Sequence, residues 1–255
     1  MSTPNFLPFR FTTCSMSMTC SSVACEDSAT IRPNISGCLP IHVDFGIENH
    51  CMVAVHSVPL ITESYLKGFR GFDAELALEA VTNSLTVLHE GYPREDWDIL
   101  NKYGYIPFDK VGSESVSRTL EFAYDDWCAA RFAEALGKRD DAALFAARAN
   151  NWTNVFDRTT GFKRGRDTSG AWREPFDPYR YGHGGSGGTD FTEGNGYQWR
   201  WHVLQDAEGL IDALGGKRAA VSLIEDLFDT VKAFTDNRNA TGLWGGYAHG
   251  NEPVH

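Results

Sequence analysis

Ser117-Arg-Thr-Leu120-Glu121-Phe122-Ala-Tyr124-Asp125-Asp126-Trp127-Cys128-Ala-Ala-Arg-Phe132-Ala-Glu-Ala-Leu136-Gly137 carries one unbroken helical period. Leu120, Tyr124, Trp127, Cys128, Phe132 and Leu136 recur at spacings of three and four, which lines them along one side of an α-helix. Gly137 stops it, because glycine enters the left-handed conformation of a helix end without a Cβ penalty. Glu121 and Asp125 share a second side, whereas Asp126 turns away from them beside Trp127. Taken singly, each of these carboxylates reads as a surface group.

The same period continues outward in both directions. A helix from Asp140 carries Phe145, Ala149, Trp152 and Phe156 in register and ends at Asp157 before a Thr-Thr-Gly turn, and the short connection from Gly137 implies antiparallel neighbours. Upstream, Val58, Ile61 and Tyr65 mark a helix from Ser57, with Pro59 tolerated in its first turn and Gly68 as its stop. Asp73 caps a second, where Ala77, Val81 and Leu85 recur before the pattern fades ahead of Gly91-Tyr-Pro93. Downstream, one helix is predicted from Gly196 to Leu214, closed by Gly215-Gly216, and another carries Ala220, Leu223, Ile224, Leu227, Phe228, Val231 and Phe234. Six helices in three pairs, with no β-meander, predict an all-α fold of stacked antiparallel helical hairpins. A closed (α/α)6 toroid uses about twice as many, so the expectation is a partial (α/α)6 toroid over residues 37–255. Residues 1–36, rich in Ser, Thr and Cys and without a period, read as an irregular or disordered leader.

Composition excludes several classes. With 42% hydrophobic and 13% aromatic residues, the chain of 255 residues has enough apolar surface for one sizeable core. A net charge of −11, with Lys163-Arg-Gly-Arg166 as the one notable basic run, argues against nucleic acid as a partner. No stretch reaches the ~18 apolar residues of a membrane span, and the segment after Met1 is broken by Pro4, Pro8 and Arg10 where a signal peptide needs a continuous apolar run. Cys14, Cys20, Cys25, Cys38, Cys51 and Cys128 form no C-x-x-C pair, which argues against a zinc site.

The chemistry concentrates in the loops. Glycine-rich sequence from Gly161 to Asp190 is too long for a plain connector, and irregular segments of that length usually carry function. It leads into Asp190-Phe-Thr-Glu193-Gly-Asn195-Gly-Tyr197-Gln198-Trp199-Arg-Trp201, which mixes acids, amides and flat rings. Sugar sites have this make-up, since aromatic faces cover the apolar side of a pyranose while carboxylates and amides take its hydroxyls. The same residues also read as a carboxylate facing a helix N-terminus and indoles in a core. Near the C-terminus, Tyr247-Ala-His249-Gly-Asn251-Glu252-Pro-Val-His255 offers hard oxygen donors that suit calcium better than zinc, or else a solvated pair.

Four islands stand in one order: Ser117 to Trp127, Gly165-Arg-Asp through Trp172-Arg-Glu-Pro-Phe-Asp-Pro178, Thr192-Glu-Gly-Asn195 with Gln198, and Gly250-Asn-Glu-Pro-Val-His255. In these the chain resembles the family 92 glycoside hydrolases, calcium-dependent exo-acting α-mannosidases. The resemblance implies a β-sandwich packed on an (α/α)6 toroid that holds one terminal mannose, and hydrolysis by single displacement with inversion. It implies Glu193 as general acid and Asn251 and Glu252 as calcium ligands. His56, Asp126, Trp127, Gln198 and His255 are implied as further sugar contacts, with a mannoside or mannose-terminated glycan as the substrate. Secretion would follow from the same likeness. The sequence departs from the family pattern at Ile47 and Asn49, where Asn and Thr are usual, and the Ser/Cys-rich leader stands where a Trp-Asp-Thr-aromatic-Arg segment is expected. The general base is expected in a Gly-Asn-Asp-type motif past His255, so residues 1–255 alone are not expected to hydrolyse mannosides. The alternative reading is an inactive toroid half that binds carbohydrate, calcium or a protein partner.

Overall fold

A computed structural model describes residues 37–41, 52–86, 96–182 and 189–229, together with the backbone of four two-residue strands. These strands are β1 (Val43–Asp44), β2 (Ile47–Glu48), β5 (Leu243–Trp244) and β6 (Tyr247–Ala248), paired antiparallel as β1 with β2 and β5 with β6. Between them run α1 (Ser57–Leu66), α2 (Ala74–Thr86), α3 (Asp96–Tyr103), α4 (Ser115–Ala135) and α5 (Arg139–Arg148). A 3-10 helix (Ala149–Val155) follows, then β3 (Phe156–Asp157) and β4 (Phe162–Lys163). The last helices are α6 (Gly196–Trp199), α7 (Ala207–Ala213) and α8 (Lys217–Asp229).

α4 is the axle of the fold and packs against α1, α2, α5 and the 3-10 helix. A helix in that position keeps only a narrow solvated stripe through Trp127, Arg131 and Glu134, which explains why Ser117, Thr119, Glu121, Asp125 and Asp126 are as buried as Leu120 and Phe122. The surface reading of the three carboxylates is thereby corrected. On its outer flank, Trp127 keeps 36% of its surface. The main core gathers Val58, Ile61, Leu78, Val81, Leu85, Trp97, Leu100, Phe122, Phe132 and Phe145. Each large side chain buried there contributes about 1.5–3 kcal/mol, and Trp97 and Phe122 meet with ring centroids 4.5 Å apart. A second core under the functional loops joins Val116, Leu120, Trp152, Val155, Phe191, Trp199, Val203 and Leu210.

Helix ends follow local chemistry. Asp73 accepts from the Leu76 amide at 3.0 Å and starts α2 as expected. Gly137, at φ +75°, closes α4, where the Lys138 amide reaches back to the Ala133 carbonyl at 2.9 Å. Where the helices differ from expectation, polar side chains compete for the backbone. The helix from residue 139 tightens into the 3-10 form at Ala149. There Asn150 donates to the Ala146 carbonyl at 3.0 Å, Thr153 to the Asn150 carbonyl at 2.9 Å and Asn154 to the Gly104 carbonyl at 2.8 Å. The single helix expected over residues 196–214 is two: α6 ends at Trp199, and Asp206 starts α7 anew by accepting from the Gly209 amide at 3.0 Å. Helix α3 escaped the periodic reading because, of its residues 97–103, only Trp97 and Leu100 are fully buried.

Two hubs of charge order the glycine-rich segment. Arg164 donates to Asp157 at 2.8 Å, to Glu174 at 2.6 Å and to the Arg173 carbonyl at 2.8 Å. Burial opposes ionisation of Asp157, but bonds from Arg164, Thr159 and Thr160 outweigh it and hold its carboxyl below the usual range. Asp190 is the second hub, described with the site. Behind both lies Lys163, fully buried, whose ammonium donates to the Arg200 carbonyl at 2.6 Å. Burial, with the Arg200 charge adding to it, pushes this lysine down to about 7.

Candidate active site

The segment 189–195 crosses the N-terminus of α4 and supplies the cap that helix lacks. Glu114 precedes α4 in the left-handed conformation (φ +63°) and makes no side-chain cap. Instead its amide donates to the Thr189 carbonyl at 2.7 Å, and the amides of Val116 and Ser117 donate to the Asp190 carbonyl at 3.0 and 3.2 Å. The Ser117 hydroxyl accepts from the Thr192 amide at 2.9 Å. On the far side, Gly194 and Gly182 exchange amide-to-carbonyl bonds of 2.8 and 3.2 Å. Asn195 then begins α6 with a capping box: its side chain accepts from the Tyr197 and Gln198 amides, and the Gln198 side chain accepts from the Asn195 amide at 2.9 Å.

Glu193 sits at the crest of this turn with φ +43°. Outside glycine that conformation is strained, and it persists where surroundings on both sides fix it. Its neighbour Gly194 admits no side chain, since an added Cβ would lie 2.8 Å from both the Trp199 indole nitrogen and the Gln198 amide oxygen. That indole donates to the Thr192 carbonyl at 2.9 Å. The half-buried Glu193 carboxyl is therefore carried by a turn held from α4, from Gly182 and from α6 together.

One helical turn along α4 from Ser117, about 6 Å by helix rise, a pocket of about 200 Å³ opens between His56, Pro59, Glu121, Tyr124, His202 and Leu204. Glu121 forms its floor and Asp125 lies one turn further along α4 behind His56, with 1% and 0% of their side chains exposed. Val55 donates its amide to Asp125 at 2.8 Å. His202 Nε2 lies 3.3 Å from Glu121 Oε2, and His56 stands 3.9 Å from both carboxylates, too far for hydrogen bonds. Burial, with Cys128 and Asp125 beside it, raises the Tyr124 phenol to about 12, so the wall it forms is neutral. The rings of Trp199 and His202 pack 5.1 Å apart and tie the floor of the pocket to the Glu193 turn. Buried carboxylates and imidazoles under aromatic and aliphatic walls can grip hydroxyls from below while covering an apolar ring face.

Of the residues anticipated, Glu193 and Gln198 share one turn and His56 lines the adjoining pocket. Trp127 lies outside that lining, stacked on Tyr124 with centroids 6.3 Å apart and planes 12° from parallel. Asp126 is elsewhere. It accepts from Arg148 at 3.0 Å, and Arg148 also donates to the Leu85 carbonyl at 2.8 Å, so the expected sugar contact is in place a buried ion pair binding α2, α4 and α5 together. Burial outweighs the guanidinium and raises the Asp126 carboxyl to about 7. Asn251, Glu252 and His255 lie outside the described residues, and among the described residues no three His, Cys, Asp or Glu side chains converge as metal ligands. Glu121, Asp125 and His202 were not singled out as site residues. The signal present for two of them was that Glu121 and Asp125 are carboxylates one turn apart on the same side of a long helix.

A mostly helical fold with a carboxyl on a fixed turn beside a polar, ring-walled pocket is that of the helical-toroid glycosidases. The family model for the glycosyl hydrolase family 92 catalytic domain matches residues 25–255. The chain belongs to glycosyl hydrolase family 92, and its fold is part of that family's (α/α)6 toroid. It is similar to a family 92 α-mannosidase of Bacteroides thetaiotaomicron solved in complex with mannoimidazole, at 37% identity and a TM-score of 0.78, covering 87% of this chain and 29% of that one. A family 92 inverting mannosidase of the same organism matches at 34% identity and a TM-score of 0.69, over 78% of this chain and 26% of that one. A protein of Arthroderma benhamiae named as an uncharacterized secreted glycosidase is 27% identical over 205 residues, 67% of this chain and 26% of the relative. The chain thus spans little more than a quarter of the length of these relatives.

Proposed function

We propose that this chain carries the acid-bearing part of an exo-acting α-mannosidase that removes terminal α-linked mannose from a mannoside or mannose-terminated glycan, with inversion. The observation that carries the proposal is the strained, firmly anchored turn of Glu193, whose neighbour Thr192 bonds Ser117 on α4 one helical turn before Glu121 in the pocket of His56, Tyr124 and His202. A terminal mannose seated there presents its glycosidic oxygen to Glu193. The carboxyl donates its proton as the bond to the leaving group breaks, and the oxocarbenium-like charge on the ring develops above the buried Glu121 and Asp125 carboxylates. His56, His202 and Gln198 orient hydroxyls. In an inverting reaction a second carboxylate activates water from the opposite face, across a gap of about 6.5–9.5 Å.

Calcium belongs to the same proposal. Asn251 and Glu252 provide the hard oxygen donors this ion prefers, which fits the donor chemistry. When bound, the ion would hold sugar hydroxyls and favour a flattened ring. Secretion is supported by the naming of the Arthroderma relative.

The test is hydrolysis of an aryl α-mannoside by the full-length gene product that carries these residues, with calcium and with EDTA. Glu193→Gln is expected to lower kcat about 10²–10⁴-fold while mannose binding by calorimetry survives, and EDTA is expected to suppress turnover reversibly. Undiminished turnover in the Glu193→Gln protein would overturn the assignment.

A further inference from the structure

We propose that Asp190, clamped by Arg173, is the positioning residue of the general acid, an inference that rests on the reading of Glu193 above. Its side chain is 6% exposed and fully engaged. One carboxylate oxygen accepts from the Ser115 hydroxyl at 2.8 Å and the other from the Gly165 amide at 3.1 Å, while Arg173 Nε approaches both at 2.9 and 3.0 Å. Its main-chain carbonyl meanwhile receives the Val116 and Ser117 amides. A single residue thus joins the start of α4, the Gly165 bend and the Arg173 loop, three positions before Glu193.

Shape enforces the arrangement. A Cβ on Gly165 would collide with the Asp190 carboxylate, so the amide–carboxylate contact needs glycine at 165 and the short side chain of Asp at 190. Arg173 is itself held, its guanidinium 3.9 Å from the centre of the Phe108 ring. The segment Trp172-Arg-Glu-Pro-Phe-Asp-Pro178, prominent in the sequence and remote from the pocket lining, gains a role as the brace that closes on Asp190. Charge-assisted bonds of this kind are strong and directional, and without them the N-terminal arm of the left-handed turn would rest on the weaker neutral bonds of Thr189 and Thr192.

Asp190→Asn tests the inference because it keeps size but presents a donor where Gly165 N–H and Arg173 Nε–H already donate. A general acid matters for a poor leaving group and little for one that departs unprotonated. In the full-length gene product, Asp190→Asn is therefore expected to slow α-linked mannobiose hydrolysis about 100-fold, and hydrolysis of α-mannosyl fluoride less than about 3-fold, as for Glu193→Gln. Equal loss on both substrates, or loss on neither, overturns the role of Asp190. If Glu193→Gln itself shows no such split, the reading of Glu193 falls instead, and the positioning role with it. Independently of activity, amide exchange at residues 192–195 is expected to quicken at least about 10-fold in the variant while α5 stays protected. Unchanged protection there refutes the anchor whatever the kinetics.

Discussion

Asp126 and Arg148 show how burial rewrites the meaning of a charged residue. Their 3.0 Å contact is almost shut off from water, with 0% and 11% of the side chains exposed. Removing one partner strands the other, so Arg148→Ala is expected to cost about 3–5 kcal/mol in chemical denaturation. The pair also carries a pH signature. Because the folded-state carboxyl is raised from 3.8 to about 7, the native protein binds the extra proton between those values, and stability contributed by this group falls as pH rises through that window. Melting temperatures measured from pH 4 to pH 8 should show a downward trend that flattens in Asp126→Asn; identical slopes would contradict the assignment. In the sequence, helix geometry turns Asp126 away from Glu121 and Asp125, but nothing local names Arg148 as its partner. Only the packing of α2 and α5 brings the two together.

At the level of elements, helices with a full apolar stripe and a marked end were readable: α1, α2, α4 and the first part of α5 stand where period and caps put them. Elements set by competition for backbone bonds were not. The switch to 3-10 geometry after Arg148 and the break between α6 and α7 depend on which side chain reaches a carbonyl or amide first, and that is decided in three dimensions. The capping box of α6 is the case where a four-residue helix exists because of its cap. Asn195→Ala is accordingly expected to destabilise the protein by about 1–2 kcal/mol in urea titration, with the loss concentrated in exchange protection of Gly196–Trp199. The left-handed backbone of Glu193 was not legible, because no residue type at that position announces positive φ.

For the molecule as a whole, the sequence made the all-α class and hairpin stacking visible, while convergence of His56, Glu121, Asp125 and His202 required α1, α4 and the segment after α6 to pack first. The exposed side of α8 is a further property of that scale. Val221, Ile224 and Phe228 keep 54%, 42% and 44% of their surface, whereas Ala220 and Leu227 are buried against the body. An apolar stripe left on the outside promotes self-association. Ile224→Glu combined with Phe228→Glu is expected to raise the monomer fraction of residues 1–255 in light scattering, with stability changed by no more than about 0.5 kcal/mol per site; unaltered association would refute the prediction. The crest of the acid-bearing turn imposes a different constraint on the whole. Glycine at 193 would ease the backbone and delete the proposed proton donor, so a search for heat-tolerant variants will be drawn to a position where, on that proposal, relief of tension silences the chemistry.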